Sequence, residues 1–364
     1  MAIILSTKLS LIIVSLVLIN IIFYTWILTR VPDVAPETRN LVETFVDDAR
    51  ICKITSISSP FNPDTLVLVL TKNAESWGKR NNINRSIQDF NNLINSTYPI
   101  ANLSLGILTS NLTEYKNYTA VLKEVAWERI TVIYHPGYRG STHRDGEERH
   151  NNNVQKERRR LLARLRNYLM LSAINGEKHI FWIDADIHSI TNGILQKMIS
   201  HSESKTPNIT FSSALKKRIW IKSGEKVGLL TARCLYGDNP NYDLNAFSGP
   251  RVHPNASEIK ALKRGEIFVP RGTNATKFMR NLTHLSSNEE IFRLDSVGGT
   301  LLYIRGELIR QGLTFPTLYI VGTDWELSEG WDGIETEGLC YVAKTLGYGC
   351  YGLGGSWVVE HLVN

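Results

Sequence analysis

The chain has 364 residues, of which 43% are hydrophobic and 21% charged, with a formal net charge of +6 and four cysteines. That length allows one large domain or two ordinary ones, and the composition excludes a disordered, collagen-like or fibrous chain. Four cysteines exclude a disulfide scaffold. The modest positive charge neither demands nor excludes nucleic acid, and it suits a small anionic substrate such as a nucleotide diphosphate.

From the amino terminus, Leu9–Leu28 is a run of 20 residues without a charge. It is long enough to cross the roughly 30 Å hydrocarbon layer as a helix. A cleaved signal peptide normally has a shorter apolar core and a small-residue cleavage site, and Val31-Pro32-Asp33-Val34 is a poor one. The run therefore predicts an uncleaved anchor. Asn-x-Ser/Thr triplets begin at Asn84, Asn95, Asn102, Asn111, Asn117, Asn208, Asn255, Asn274 and Asn281. Composition alone would give roughly four. The excess points to a body in the secretory lumen, where Cys52, Cys234, Cys340 and Cys350 can pair in any of three ways. The expected organisation is a cytosolic tail over 1–8, an anchor over 9–28, a luminal stem over 29–64 with one short helix near Arg39–Ile51, and a luminal domain over 65–364.

The domain opens with a buried strand over Leu66–Leu70, an unbroken apolar run. A helix over Asn81–Ile94, a strand over Leu103–Leu108, a helix over Thr113–Val125 and a strand over Arg129–Tyr134 follow. This alternation predicts an α/β unit of the nucleotide-sugar-binding type. His135–His150 reads as a loop and Lys156–Ile174 as a helix, with Leu161, Leu162, Leu165, Leu169 and Ser172 on one side. Its five arginines form either a solvated face or a set from which one or two reach a diphosphate or acidic groups beside it. An apolar strand from His179 then ends in Asp184-Ala185-Asp186, and Ile190–Ser200 reads as a helix. Pro207–Ser287 reads as irregular, with acceptor-side loops and short strands. Strands are expected over Gly298–Ile304, Tyr348–Leu353 and Ser356–His361, and a helix over Ile334–Leu346.

Side chains alternate along a strand, so Asp184 and Asp186 should emerge together at its carboxyl end, where open α/β sheets bind ligands. Two carboxylates suit Mn²⁺ or Mg²⁺, and such an ion can stabilise the charge on a leaving diphosphate. Asp186 is the expected direct ligand, and Asp184 the group that holds metal-bound water or ribose. Two other readings stand beside this one. The pair can cap the following helix, or it can belong to a dehalogenase-type phosphatase, although that family wants Thr or Val where His188 stands.

Three blocks carry a family resemblance: LARLRNYLMLSA leading through FWIDADIHSI, NAFSGPR at Asn245–Arg251, and GGTLLYIRGELIRQGLTFPTLYIVGTDWELSEGWDGIETEGLCYVAKTLGYGCYGL closing on Val358-Val359-Glu360-His361. Over roughly residues 64–361 the chain resembles the fungal mannan polymerase family of Golgi mannosyltransferases, glycosyltransferase family 62. The resemblance implies a GT-A fold with a mixed sheet, a GDP-mannose donor, Mn²⁺, and retaining transfer to mannan or N-glycan acceptors, most often in α-1,6 linkage. It implies a type II protein of the Golgi membrane that works with related subunits, or a non-catalytic subunit of such a complex. No nucleic acid is expected. By resemblance His361 joins Asp186 at the metal, and Glu335 and Glu337 lie beside the active site with Asp184. Thr71, Asn73 and Arg166 join Asp184 on the nucleotide, while Asp324, Asp332, Trp325 and Trp331 are acceptor-side candidates.

Overall fold

The computed structural model describes residues 39–56, 63–137, 152–204, 225–239, 242–249, 255–264, 276–319 and 333–362. The chain enters with β1 (Arg39–Val46), β2 (Ala49–Ser56) and β3 (Thr65–Thr71). A short hairpin of β4 (Lys79–Arg80) and β5 (Ile83–Asn84) precedes α1 (Ile87–Thr97), β6 (Ser104–Thr109), α2 (Leu112–Leu122) and β7 (Arg129–Tyr134). The long helix α3 (Asn152–Ala173) leads to β8 (His179–Ile183), β9 (Ile187–Ile190) and α4 (Ile194–Glu203). Then come β10 (Lys226–Thr231), β11 (Arg233–Tyr236), β12 (Phe247–Ser248), α5 (Ala256–Lys263), β13 (Lys277–Phe278) and α6 (Met279–Thr283). The last elements are β14 (Ile291–Leu294), β15 (Leu301–Arg305), α7 (Gly306–Arg310), α8 (Thr336–Thr345), β16 (Tyr348–Leu353) and β17 (Val358–His361).

A ten-stranded sheet in the order β1-β2-β7-β6-β3-β8-β15-β10-β16-β14 organises the unit from Asn40 to Asn364. Strands β7, β6, β3 and β8 are mutually parallel. Strand β15 pairs antiparallel with β8 and β10, so the sheet is mixed. A second sheet of β11, β17 and β9 brings the end of the chain against the strand that follows β8. The fold is thus α/β, as the strand–helix alternation predicted, with a large mixed sheet as the resemblance implied.

Burial explains the sheet. Both faces of β3 are covered, which is why Leu66–Leu70 carries no polar alternation. On one face Val67, Val69, Leu105, Ile107 and Phe181 pack under α1, α2 and α4; on the other Leu66, Leu68, Ile180 and Trp182 pack under α3 and α8. Helix α3 lies close to β6 because Gly106 has no side chain. A Cβ there would stand 2.6 Å from Leu68 Cδ2 and 2.9 Å from Ala173 Cβ.

Several local expectations are corrected. The short helix expected near Arg39–Ile51 is replaced by β1 and β2, and β2 pairs with β7 over Arg50–Thr55. The helix expected from Asn81 begins at Ile87, capped by Ser86; Asn81 and Asn82 instead take positive φ (52° and 64°) and turn the β4–β5 hairpin. Ile190 ends β9 rather than starting a helix, and the helix begins at Ile194. Of the short strands expected over Pro207–Ser287, β10 lies within the large sheet, held between β15 and β16. Cys340 and Cys350 form a disulfide, while Cys52 and Cys234 are buried and free. Among the described residues no helix is long and apolar enough to cross a membrane. The span expected over Leu9–Leu28 and most of the His135–His150 loop lie outside the described residues.

Candidate functional site

Strand β8 stops at Ile183, one residue before the acidic motif. Asp184 and Asp186 therefore share a side for a different reason than strand alternation. The backbone turns through Asp184-Ala185-Asp186, closed by the bond from Ile187 N–H to Asp184 O (3.2 Å). Asp184 N–H donates to Thr300 O (3.0 Å), which ties the start of the turn to the approach to β15. Leu362 N–H donates to Asp186 O (3.2 Å), which ties its end to β17.

That last tie delivers His361. Its ring is buried, with Nδ1 3.0 Å from Asp186 Oδ1 and Nε2 3.9 Å from Asp184 Oδ2. Tyr242 packs against the imidazole with ring centroids 4.5 Å apart, and Tyr236 stacks on Tyr242. One ligand atom from each of Asp184, Asp186 and His361 falls within 4.8 Å of the others. Among the described residues neither ring nitrogen of His361 makes a well-aligned hydrogen bond. A buried imidazole in that state, beside two carboxylates, is a donor set that fits Mn²⁺ or a similar divalent ion.

Helix α3 supplies the positive side. Arg166 is buried against Trp182 and Phe315; its Nη2 lies 3.4 Å from Asp184 Oδ1 and its Nε 3.3 Å from Glu335 Oε1. About two turns earlier, Arg159 donates to Glu337 Oε1 (2.7 Å) and to Asn245 Oδ1 (3.4 Å). Seven residues separate the two arginines, so they share a helix face. This arrangement favours the reading in which arginines of α3 pair with acidic groups. Leu161, Leu165 and Leu169 are buried as expected, but Ala163, Met170 and Ala173 complete the apolar stripe in place of Leu162 and Ser172.

Charge in the cluster is unevenly held. Burial, with Asp186 and Asp243 nearby, pushes the Asp184 carboxyl up to about 6 against the pull of Arg166 and His361. Burial opposes protonation of His361, but Asp186 in contact and Asp184 behind it outweigh burial and raise its pKa. A divalent ion would offset the burial of the Asp184 charge and the repulsion between the two carboxylates.

The other expected residues divide. Glu335 and Glu337 are buried beside the cluster, held by the two arginines. Thr71 is buried, and its hydroxyl is engaged with Leu108 O and Tyr118 Oη (both 3.3 Å), so its side chain faces the core. Asn73 caps the short turn Ala74–Trp77 by accepting from Glu75 N–H (3.2 Å). Asp324, Trp325, Trp331 and Asp332 lie outside the described residues. The sequence reading missed Asp243. Its Oδ2 accepts from Gly299 N–H (2.9 Å) and Thr300 Oγ1 (3.0 Å), and its Oδ1 from Asn245 N–H (3.2 Å). It thereby braces the Gly298–Thr300 segment onto which Asp184 bonds. Gly298 approaches so closely that a Cβ there would meet Asp243 Oδ2 at 2.0 Å. The two adjacent glycines were the available signal.

Comparison with known proteins identifies the family of the chain. The mannan polymerase complex subunit mnn9 of Schizosaccharomyces pombe is 26% identical over 328 residues, covering 85% of this chain and 84% of its own. The mannan polymerase complex subunit MNN9 of Candida albicans is 25% identical over 348 residues, covering 86% of this chain and 80% of its own. A shorter match joins the mannan polymerase I complex VAN1 subunit of Saccharomyces cerevisiae, 24% identical over 211 residues, 57% of this chain and 34% of the other. The model of the Anp1 family matches residues 44–318, most of the chain including the Asp184–Asp186 turn and α3, and the chain belongs to that family.

Proposed function

We propose that this chain is a retaining, metal-dependent mannosyltransferase of the GT-A type. It moves mannose from GDP-mannose onto the α-mannan chains of N-glycans, chiefly in α-1,6 linkage, as a subunit of a mannan-synthesising complex. The observation that carries this reading is the meeting of Asp184, Asp186 and His361 at the carboxyl end of β8, within reach of Arg166. Similarity to named mannan polymerase subunits supplies the substrate class.

Asp186 and His361 would hold Mn²⁺, with Asp184 beside it. When bound, the ion supplies Lewis-acid stabilisation of the leaving diphosphate. Arg166 places a second positive charge next to Asp184, and Glu335 fixes its direction. Glu337 does the same for Arg159, so both glutamates act through arginines. Attack by the acceptor hydroxyl on the face from which GDP departs, with a departing phosphate oxygen taking its proton, retains configuration and asks for no covalent nucleophile. A Golgi membrane location, with the anchor at residues 9–28 and the domain in the lumen, is supported by the Cys340–Cys350 disulfide. The exposure of Asn84, Asn95, Asn102, Asn117, Asn255 and Asn281 supports it too.

The test is incubation of the full chain in detergent with GDP-mannose, Mn²⁺ and an α-mannobiose acceptor, followed by linkage analysis. An α-1,6-extended product is expected. Inorganic phosphate release without transfer would overturn the reading. A second reading, a donor-binding scaffold, is favoured by the relatives being subunits of complexes. It would be revealed by GDP-mannose binding without transfer until a related subunit is added.

A further inference from the structure

The turn that carries the acidic pair has a second attachment, from the side away from His361. Arg85 lies between the β4–β5 hairpin and α1, and its side chain is buried. Its Nη1 donates to Trp77 O (3.1 Å) and, at longer range, to Ala185 O (3.5 Å); its Nη2 donates to Ile187 O (2.9 Å). Ala185 is the middle residue of the motif, and Ile187 is the residue whose N–H closes the turn onto Asp184. The hairpin end is fixed as well: Arg85 N–H donates to Gly78 O (3.0 Å), and Trp77 is buried with its Nε1 on Tyr118 Oη (2.9 Å).

Among the described residues no carboxylate forms an ion pair with Arg85. Asp89 and Asp186 attract it at longer range, but a buried guanidinium with no carboxylate in contact is costly to the fold unless its donors are met. Here they are met by carbonyl oxygens, and two of the three belong to the Asp184–Ile187 turn. Each of those peptides must keep its carbonyl directed at Arg85. A peptide that flipped would leave a buried charge facing an N–H group. The planar fork of arginine can hold diverging carbonyls in a fixed geometry, which a single ammonium cannot.

We infer that Arg85 is a positioning residue for the Asp184–Asp186–His361 cluster: by holding the carbonyls of Ala185 and Ile187 from behind, it keeps the two carboxylates in the arrangement that receives the divalent ion. This inference rests on the reading of the cluster as a metal site. Groups that orient metal ligands from outside the site typically change metal affinity by about 10–100-fold when removed.

The experiment uses the full chain in detergent and has two readouts, neither of them transfer activity. Mn²⁺ affinity is measured from the free-ion electron paramagnetic resonance signal. Hydrogen exchange of the peptide spanning Ile183–Ile190 is measured on metal-free protein. In Arg85→Met, Mn²⁺ affinity should fall by about 10–100-fold, and exchange in that peptide should rise by at least about tenfold, while a peptide over β16 stays protected. Arg85→Lys, which keeps the charge but not the fork, should fall between Arg85→Met and wild type on both readouts; it is read alone if the methionine variant does not fold. Phe90→Leu, a core change in α1 on the same face of the sheet, serves as the control for general destabilisation. Unchanged exchange in the Arg85 variants overturns the inference whether or not metal binds. Raised exchange with wild-type Mn²⁺ affinity also overturns it, as does an equal loss of affinity in Phe90→Leu. Failure of the wild-type chain to bind Mn²⁺ overturns the metal reading instead.

Discussion

The two ends of β8 hold buried polar groups of similar kind in opposite ways. At the amino-terminal end, Glu177 accepts from Arg129 on one oxygen and from Asn175 N–H on the other. His179 Nδ1 lies 2.9 Å from Tyr303 Oη, which also meets Ser202. Each charge there has an opposite neighbour, and the groups close on one another. At the carboxyl-terminal end, two carboxylates and an imidazole face each other, and Arg166 is divided between Asp184 and Glu335. One end is paired within the protein, with only Arg129 Nε and His179 Nε2 lacking an aligned partner among these groups; the other is the arrangement for which we propose a cation. The same strand supports both because its five residues are wholly buried, so polar groups collect only where it ends.

Changes at each end should separate stability from function. Asp186→Ala should bring Mn²⁺-dependent transfer down to background, measured as GDP release, a loss of roughly 10³-fold or more. Its melting temperature without metal should be unchanged or raised, since one of two repelling carboxylates is gone. A melting temperature that collapsed would erase the contrast. Glu177→Ala should do the reverse. It strands the largely buried Arg129 and should cost about 3–5 kcal/mol of stability by urea titration, with transfer per folded molecule retained. Breaking the Cys340–Cys350 crosslink with Cys350→Ser should cost about 2–3 kcal/mol, measured the same way. Transfer should persist, because the disulfide fastens α8 to β16 rather than to the turn.

Acid should act with opposite sign at the two ends. Burial lowers the pKa of His179, and of His201 in α4 nearby, below the usual histidine value. The unfolded chain then takes up protons first, and stability is lost as pH falls through about 6.5, by at most about 1.4 kcal/mol per pH unit for each group. Asp184 is raised to about 6, so its folded form takes up a proton before the unfolded one, and acidification below that value relieves strain at the site. In metal-free protein, Asp184→Asn should therefore melt higher than wild type at pH 7, with the gap closing below pH 6. A series of melting curves across that range checks both signs.

The parts of the molecule legible in the sequence were those whose chemistry is local. Leu66–Leu70 is an apolar run, and Leu103–Leu108 and Arg129–Tyr134 are mostly apolar stretches, all largely buried on both faces; they read as strands unaided. Strand β10 does not stand out from the short strands expected over Pro207–Ser287, because it takes its central place only through β15 and β16 on either side. The hairpin before α1 was hidden by Ile83, which fits the helical spacing but is an exposed β5 residue after two left-handed asparagines. At the site, Asp184 and Asp186 were legible from their place after an apolar run, although a turn rather than alternation brings them together. His361 could be found only through resemblance, since the pairing of β17 with β9 decides its neighbours. Asp243 and Arg85 act through backbone groups distant in sequence, and no local pattern announces such a role.

Glu335 begins α8 at φ 56° and ψ −130°, backbone angles that glycine adopts readily and a glutamate does not. Holding a side-chain-bearing residue there costs of order 1–3 kcal/mol. Glu335→Gly would release that strain but take from buried Arg166 one of its two carboxylate partners, a loss of about 3–5 kcal/mol that outweighs the gain. Heat resistance and competence at the cluster therefore keep the same glutamate at a position whose backbone would suit glycine, so a library screened only on melting behaviour would retain it.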